Sequence, residues 1–389
     1  MSSFPHKLHK KLEERESENS IRSLNTSTSF VDFYSNDYIG FSRNATIFNN
    51  TSSFLSDRNI IQNGATGSRL ISGNYKLYDE VELQIAKFHK VEAALLFNSG
   101  YDANLGFFSC IPQRGDFIFY DEYIHASIRD GIAISNAKSY KFSHNNLEDL
   151  KGVIDRVVTS KTAEVYIITE SVFSMDGDSP DLKSFAHYCD SSDFNFIIDE
   201  AHAIGVFGEN GEGLVSELGI QNQVFARIIT FGKAMGCHGA AVLGSEKLKN
   251  FLINFARSFI YTTGLPPHSV ATIGVAYVEL HTKHENLKPA RVELLDNIKY
   301  FNEQVEFLNL SSFFISSASA IHCCVISGNK EVKQIAEDIQ EKGFNVKAIL
   351  SPTVSIGQER IRFCLHSYNT KKEIFEVLSY LKEKLNSNE

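Results

Sequence analysis

No stretch of about 18 consecutive apolar residues occurs in the chain, which argues against a helical membrane span. The first residues run HKLHKKLEERESENS soon after Met1. They lack the apolar centre of a secretory leader. Cysteine is sparse: Cys110, Cys189, Cys237, Cys323, Cys324 and Cys364 are scattered over 389 residues, and none makes a CxxC pair. Such thiols read as reduced, so a cytoplasmic setting is expected, with no metal site. Positive charge is also in deficit, with 38 Lys and Arg against 47 Asp and Glu. A basic face for nucleic acid is therefore not expected, although a local anion site stays open. Internal repeats and low-complexity tracts are missing too.

What is present is enough chain for two domains. Its centre alternates short apolar runs with amphipathic stretches. AALLF (from Ala93), DFIFYDE (from Asp116), VYIITE (from Val165), FNFIIDEAH (from Phe194), IIT (from Ile228) and AAVLG (from Ala240) read as strands. YDANLGFFSC (from Tyr101) and IHASIRDGIAI (from Ile124) read as helices. Continuous apolar strands between helices suit a mainly parallel sheet flanked by helices, an α/β doubly wound large domain. A long helical stretch follows from about His268 to Phe307, interrupted at Pro289. The remainder reads strand, helix, strand, helix (HCCVIS, VKQIAEDIQEKG, RIRFCL, KKEIFEVLSYLKEKL), a smaller C-terminal α+β domain. The expected division is an arm at 1–45, a large domain at 46–270 and a small domain at 271–389.

The most informative segment is IITFGKAMGCHGAAVLGS, from Ile228. Lys233 follows a buried strand in a turn whose Gly232, Gly236 and Gly239 allow close backbone approach to a ligand. A lysine desolvated there has a lowered pKa and a nucleophilic amine; the plain alternative is a surface lysine in a loop. Upstream lies FIIDEAHAIGVFGENGEG, from Phe196, with Asp199 at the carboxyl end of a strand. A carboxylate there can pair with the pyridine nitrogen of pyridoxal 5'-phosphate (PLP) and keep that ring electron-accepting. His202 is three residues further on and could reach the same ring. A helicase-type DEAH box would need a Gx4GK[ST] loop upstream, and none is present. Ser99, Gly100 and Tyr101 stand where a strand turns into a helix, which suits a phosphate or a simple helix cap.

These two stretches resemble the PLP-binding segments of the α-oxoamine synthases, fold-type I PLP-dependent transferases (aspartate aminotransferase-like) that join an amino acid to an acyl thioester with loss of carbon dioxide. SNDYIGF (from Ser35), GATGSRLISGN (from Gly64), FNSGYDANLG (from Phe97), DEYIHASIRDGI (from Asp121), TESVFSMDGD (from Thr169), FIYTTGLPP (from Phe259) and SPTVSIGQERIRF (from Ser351) resemble the family in the same order. The resemblance covers about residues 30 to 370, and nine segments in order make it specific. It leans toward members that condense L-alanine with a pimeloyl thioester (on CoA or a carrier protein) in biotin formation. Relatives that use glycine or serine remain as an alternative.

The resemblance implies roles for individual residues. Lys233 would carry PLP covalently and move the substrate's α-proton. Thr230 would join Ser99, Gly100 and Tyr101 at the phosphate. His125 would stack on the ring, and Ser174 would lie near its phenolate oxygen with His202. Glu170 would face the cofactor edge, and Asp176 with Gly177 would form a turn. Arg362 would hold the amino-acid carboxylate; Arg360, two residues away on the same strand face, is distinguished from it only by alignment with the family. Asn36 would approach the substrate. Thr262 or Thr263 of the partner subunit would complete the site, implying a homodimer with a shared active site. A distal acyl carboxylate needs a basic partner, for which Arg22 is a candidate. Two departures stand out: Tyr75 and Tyr78 occupy places where many members have histidine near the entrance, and HSYNT replaces the more usual AxHT. An aminotransferase or threonine aldolase on the same fold is the distant alternative. A PLP-binding regulator would need a DNA-binding head, and an inactive companion subunit would lack Lys233.

Overall fold

The computed structural model describes residues 4–18, 20–21, 24, 29–158, 160, 162–282 and 288–386. Arg22 lies outside the described residues. The strands in chain order are β1 (Val31–Asp32), β2 (Ala93–Phe97), β3 (Phe117–Asp121), β4 (Lys138–Phe142), β5 (Val165–Glu170) and β6 (Asn195–Asp199). They continue with β7 (Ala226–Thr230), β8 (Ala240–Gly244), β9 (Ile321–Val325), β10 (Phe344–Asn345), β11 (Lys347–Ile349) and β12 (Arg360–Cys364).

The larger compact unit comprises 36–174 and 178–295. Its sheet has the order β2-β8-β7-β6-β5-β3-β4. All these strands run one way except β8, which is antiparallel to both β2 and β7. Strands β2, β5 and β7 are buried along their whole length, as expected when helices cover both faces. Ile118, Ile167, Ile168, Ile197, Ile228 and Phe107 are fully buried in this unit. Each such side chain contributes roughly 1.5–3 kcal/mol by leaving water. The strand missing from the sequence reading is β4, KSYKF. Three of its five residues are exposed, because it lies at the sheet edge, where lysines discourage further pairing.

The smaller unit comprises 1–35, 175–177 and 296–389. Its antiparallel sheet has the order β11-β12-β9, with the helices Asn329–Glu341 and Lys371–Asn386 following in chain order. A separate two-stranded parallel pairing joins β1 to β10.

The units differ from the ranges expected of the sequence. Within the expected arm, β1 pairs with β10 of the smaller unit, whereas the helix His6–Ser17 buries none of its residues. Residues 271–295 belong to the larger unit, because the helix Pro267–His281 packs on the helices Ala45–Asp57 and Lys76–His89. The break expected near Pro289 is present: one helix ends at His281 and the next begins at Ala290.

Candidate active site

Parallel topology brings the carboxyl ends of several strands together, and there the larger unit has a cavity of about 250 Å³. Ser99, Gly100, Tyr101, Thr230 and Gly232 line one part of it. Ser99 caps the helix Gly100–Cys110, its Oγ accepting from Asp102 N at 3.1 Å. The N–H groups of Gly100 and Tyr101, at the start of that helix, have no intrahelical acceptor, and the helix dipole favours an anion there. Gly100 is required: a Cβ on it would lie 2.4 Å from Thr230 Cγ2. Ser99 is thus the helix cap that the sequence offered as the simple reading.

Asp199 ends β6 and is buried. Its Oδ2 accepts from Asn104 Nδ2 at 2.9 Å and its Oδ1 from Ala201 N at 2.9 Å. Glu170 ends β5 in register with Asp199 and accepts from His125 N at 2.6 Å. Burial, then the neighbouring Asp199, push the Glu170 carboxyl well above the usual range. His125 caps the helix Ala126–Ile134, with Nδ1 2.7 Å from Ser127 Oγ. Burial lowers its pKa, as does the Lys233 ammonium, against the pull of Asp199, so the imidazole is held neutral.

His202 lines the same cavity, its Nδ1 2.7 Å from the hydroxyl of the buried Tyr38. Tyr38 in turn donates to Asn36 Oδ1 at 3.1 Å, linking Asn36 to His202. Lys233 Nζ donates to Thr230 Oγ1 at 3.3 Å. Its loop is pinned by Phe231 N to Gly239 O (2.9 Å) and Cys237 N to Phe231 O (2.7 Å). Gly236, at φ 62°, is irreplaceable there, since a Cβ would lie 2.2 Å from Ser42 N.

The cavity therefore gathers Asn36, Ser99, Gly100, Tyr101, His125 and Glu170, and with them Asp199, His202, Thr230 and Lys233. It also includes four residues the sequence reading did not single out: Asn104, Ser127, Ala201 and His238. Asn104 stands one helical turn after Gly100, and Ser127 two residues after His125, spacings that could have flagged both. His238 lies within the glycine-rich segment but carried no separate signal.

Other expected residues lie elsewhere. Ser174 is not among the residues lining this cavity. Thr262 lines a separate small crevice with Arg69, Asn98 and Phe259, and accepts from Asn98 Nδ2 at 3.0 Å. Asn98 also donates to Thr263 O at 2.6 Å. Tyr75 and Tyr78 both donate to Leu265 O, at 2.7 and 3.3 Å, and so hold the same segment. In the smaller unit, Arg362 lies on β12, opposite Lys347 and Cys323. Arg360 is committed to Asp176, at 2.5 Å from Nη1 to Oδ1, and to Met175 O at 2.9 Å. Asp176 is thus more than the turn residue the sequence suggested: it is the buried partner of Arg360. Gly177 does turn the chain, at φ 78°.

The model for aminotransferase class I and II matches residues 28–381. The chain is 39% identical over 365 residues to the 8-amino-7-oxononanoate synthase of Emericella nidulans, covering 90% of this chain and 88% of that one. It is 35% identical to a putative 8-amino-7-oxononanoate synthase of Halalkalibacterium halodurans, covering 87% and 83%. Among solved structures, the 8-amino-7-oxononanoate synthase of Francisella tularensis superposes with a TM-score of 0.76 at 30% identity, covering 92% and 99%. A serine palmitoyltransferase of Sphingomonas wittichii superposes with a TM-score of 0.88 at 24% identity, covering 99% of each, a likeness of fold. The architecture is that of the fold-type I transferases. The chain belongs to the aminotransferase class I and II family and, within it, to the α-oxoamine synthases.

Proposed function

We propose that this chain is a PLP-dependent acyltransferase of the 8-amino-7-oxononanoate synthase type. It condenses L-alanine with a pimeloyl thioester, releasing carbon dioxide and the thiol, as a step in biotin formation. The observation that carries the reading is the convergence of Lys233, Asp199 and a helix N-terminus on one cavity in a chain so similar to those synthases.

The residues fit PLP. The glycine at position 100 lets the helix start pack against Thr230, and the donor set there suits an anion. Lys233 supplies an amine, and Asp199 a buried carboxylate for a pyridine nitrogen. When bound, PLP supplies an electron-accepting ring that eases loss of a proton and of carbon dioxide at the substrate α-carbon. Ser99, Gly100, Tyr101 and Thr230 bind its phosphate. His125 would pack on its ring, with His202 toward the ring oxygen. Lys233 Nζ takes the proton from alanine Cα and returns one to the product. Arg362 clamps the alanine carboxylate in a bidentate fashion, and Asn36 orients the substrate.

The active form in this reading is a cytosolic homodimer in which Thr262 of the partner subunit reaches the phosphate. Exposed Ile71 and Tyr261 support a covering copy, being 86% and 72% accessible. Among the described residues no helix is long and apolar enough to cross a membrane.

The test is an assay of PLP-loaded protein with L-alanine and pimeloyl-CoA, following thiol release and product mass. Alanine-dependent thiol release with the mass of 8-amino-7-oxononanoate is expected, along with a borohydride-reduced PLP adduct on Lys233. Release with glycine or serine in place of alanine, or amino-group exchange without thiol release, would overturn it.

A further inference from the structure

We infer that Asn104 is a positioning residue that ties Asp199 to His125 through Ser127 and fixes His125 as the Nε2–H tautomer. The argument follows the hydrogens. Asn104 is buried, and its Nδ2 donates to Asp199 Oδ2 at 2.9 Å and to Ser127 Oγ at 3.0 Å. The orientation of the amide follows from Asp199. Both of its oxygens accept hydrogen bonds, and an amide oxygen facing Oδ2 would be repelled. Both amide hydrogens are therefore spent.

Ser127 Oγ accepts from Asn104 and lies 2.7 Å from His125 Nδ1; because the Ser127 backbone N–H makes Nδ1 an acceptor, the hydroxyl hydrogen goes to Nδ1 as well. The backbone N–H of Ser127 also donates to Nδ1, at 3.3 Å. Two donors on Nδ1 exclude a proton there, so the proton of a neutral ring sits on Nε2. Nε2–H is then the ring nitrogen left to meet an acceptor on whatever occupies the cavity. The carrier helices pack closely: a Cβ on Gly131 would lie 2.9 Å from Asn104 O. Asn104 Oδ1 is buried with no hydrogen-bond partner among the described residues, which fits an amide held by its donors rather than by its acceptor.

A single amide thus sets both the carboxylate expected at the pyridine nitrogen and the imidazole expected over the ring. Those two meanings rest on the proposed function; the tautomer does not. Its test uses cofactor-free protein labelled with 15N-histidine. Two-bond proton–nitrogen correlations are read for His125, assigned by difference from His125→Asn. The wild type is expected to show one tautomer, with Nδ1 unprotonated and Nε2 protonated. Ser127→Ala should give a mixture of both, and Ser127→Thr, which keeps the hydroxyl, should restore the single form. Asn104→Leu should also give the mixture. With PLP bound, Asn104→Leu should shift the pH midpoint of the cofactor's visible band, whereas Ser127→Ala, which leaves the Asn104–Asp199 bond in place, should not.

A wild-type His125 protonated on Nδ1, or a Ser127→Ala spectrum identical to wild type, would overturn the inference even if Asn104→Leu failed to fold. Loss of the alanine and pimeloyl activity in wild-type protein that still shows the single tautomer would instead sink only the functional reading.

Discussion

His144 Nδ1 lies 2.9 Å from Asp121 Oδ1, while Nε2 on the far side of the ring lies 2.9 Å from Asp178 Oδ2. The imidazole is therefore a bridge between the turn that leads to His125 and the loop that follows Ser174. Asn145 adds bonds to both carboxylates, its N–H to Asp121 Oδ2 (2.7 Å) and its Nδ2 to Asp178 Oδ2 (2.8 Å).

That bridge makes stability depend on pH in a definite direction. Burial opposes the charged ring, but the hydrogen bonds it donates to Asp121 and Asp178 outweigh this and raise His144 to about 10. A raised folded-state pKa means its contribution is fully present below the unfolded value of about 6.5 and gone once pH passes the folded value. Urea midpoints should therefore fall from about pH 6.5 to about pH 10 in the wild type. His144→Gln should be less stable at pH 6 and should lose that part of the slope. Equal slopes in the two proteins would contradict the bridge.

Glu200, the residue after Asp199, forms a buried ion pair with Arg227 on β7, with Nε to Oε2 at 2.6 Å. Glu200 also accepts from Val215 N at 2.9 Å, and Arg227 donates to Glu212 O at 2.6 Å. Removing one partner leaves a buried charge unmatched, so Arg227→Leu should cost roughly 3–5 kcal/mol. Urea unfolding should show that loss. The double variant Glu200→Leu/Arg227→Leu should recover part of it, because the remaining charge is then gone.

The two arginines of β12 should separate by measurement. Arg360→Ala strands the buried Asp176 and should lower stability by roughly 3–5 kcal/mol, read by urea unfolding. Arg362→Lys loses the planar fork of the guanidinium. It should raise KM for alanine more than it lowers kcat. The reverse assignment of the two effects would transfer the carboxylate role to Arg360.

Much of this was legible in the chain because burial leaves a plain mark. AALLF, VYIITE and the IIT run are apolar on both faces, as strands covered by helices on both sides are, and Glu170 and Thr230, which end the last two, mark the ligand side. KSYKF escaped because an edge strand with lysines looks like loop. Arg360 and Arg362 could not be told apart, since strand periodicity puts both on one face and only the position of Asp176 distinguishes them. Helical spacing could flag Asn104 and Ser127 as neighbours of Gly100 and His125, but not that Asn104 reaches Asp199 or Tyr38 reaches His202, far along the chain. Glu200 read as part of a motif around Asp199, whereas its partner Arg227 became visible only when β6 and β7 lay side by side.

The reversed direction of β8 has a mechanical consequence for the amine. Parallel neighbours need a long crossover, usually a helix, whose length can vary without moving the strands. Lys233 instead rides on a short hairpin, the nine residues 231–239 slung between two strands that hydrogen-bond to each other from Thr230 and Ala240 inward. An inserted residue there has no slack to take it up and must shift the lysine itself. The reach of the Lys233 amine is thereby set by the register of one antiparallel pair.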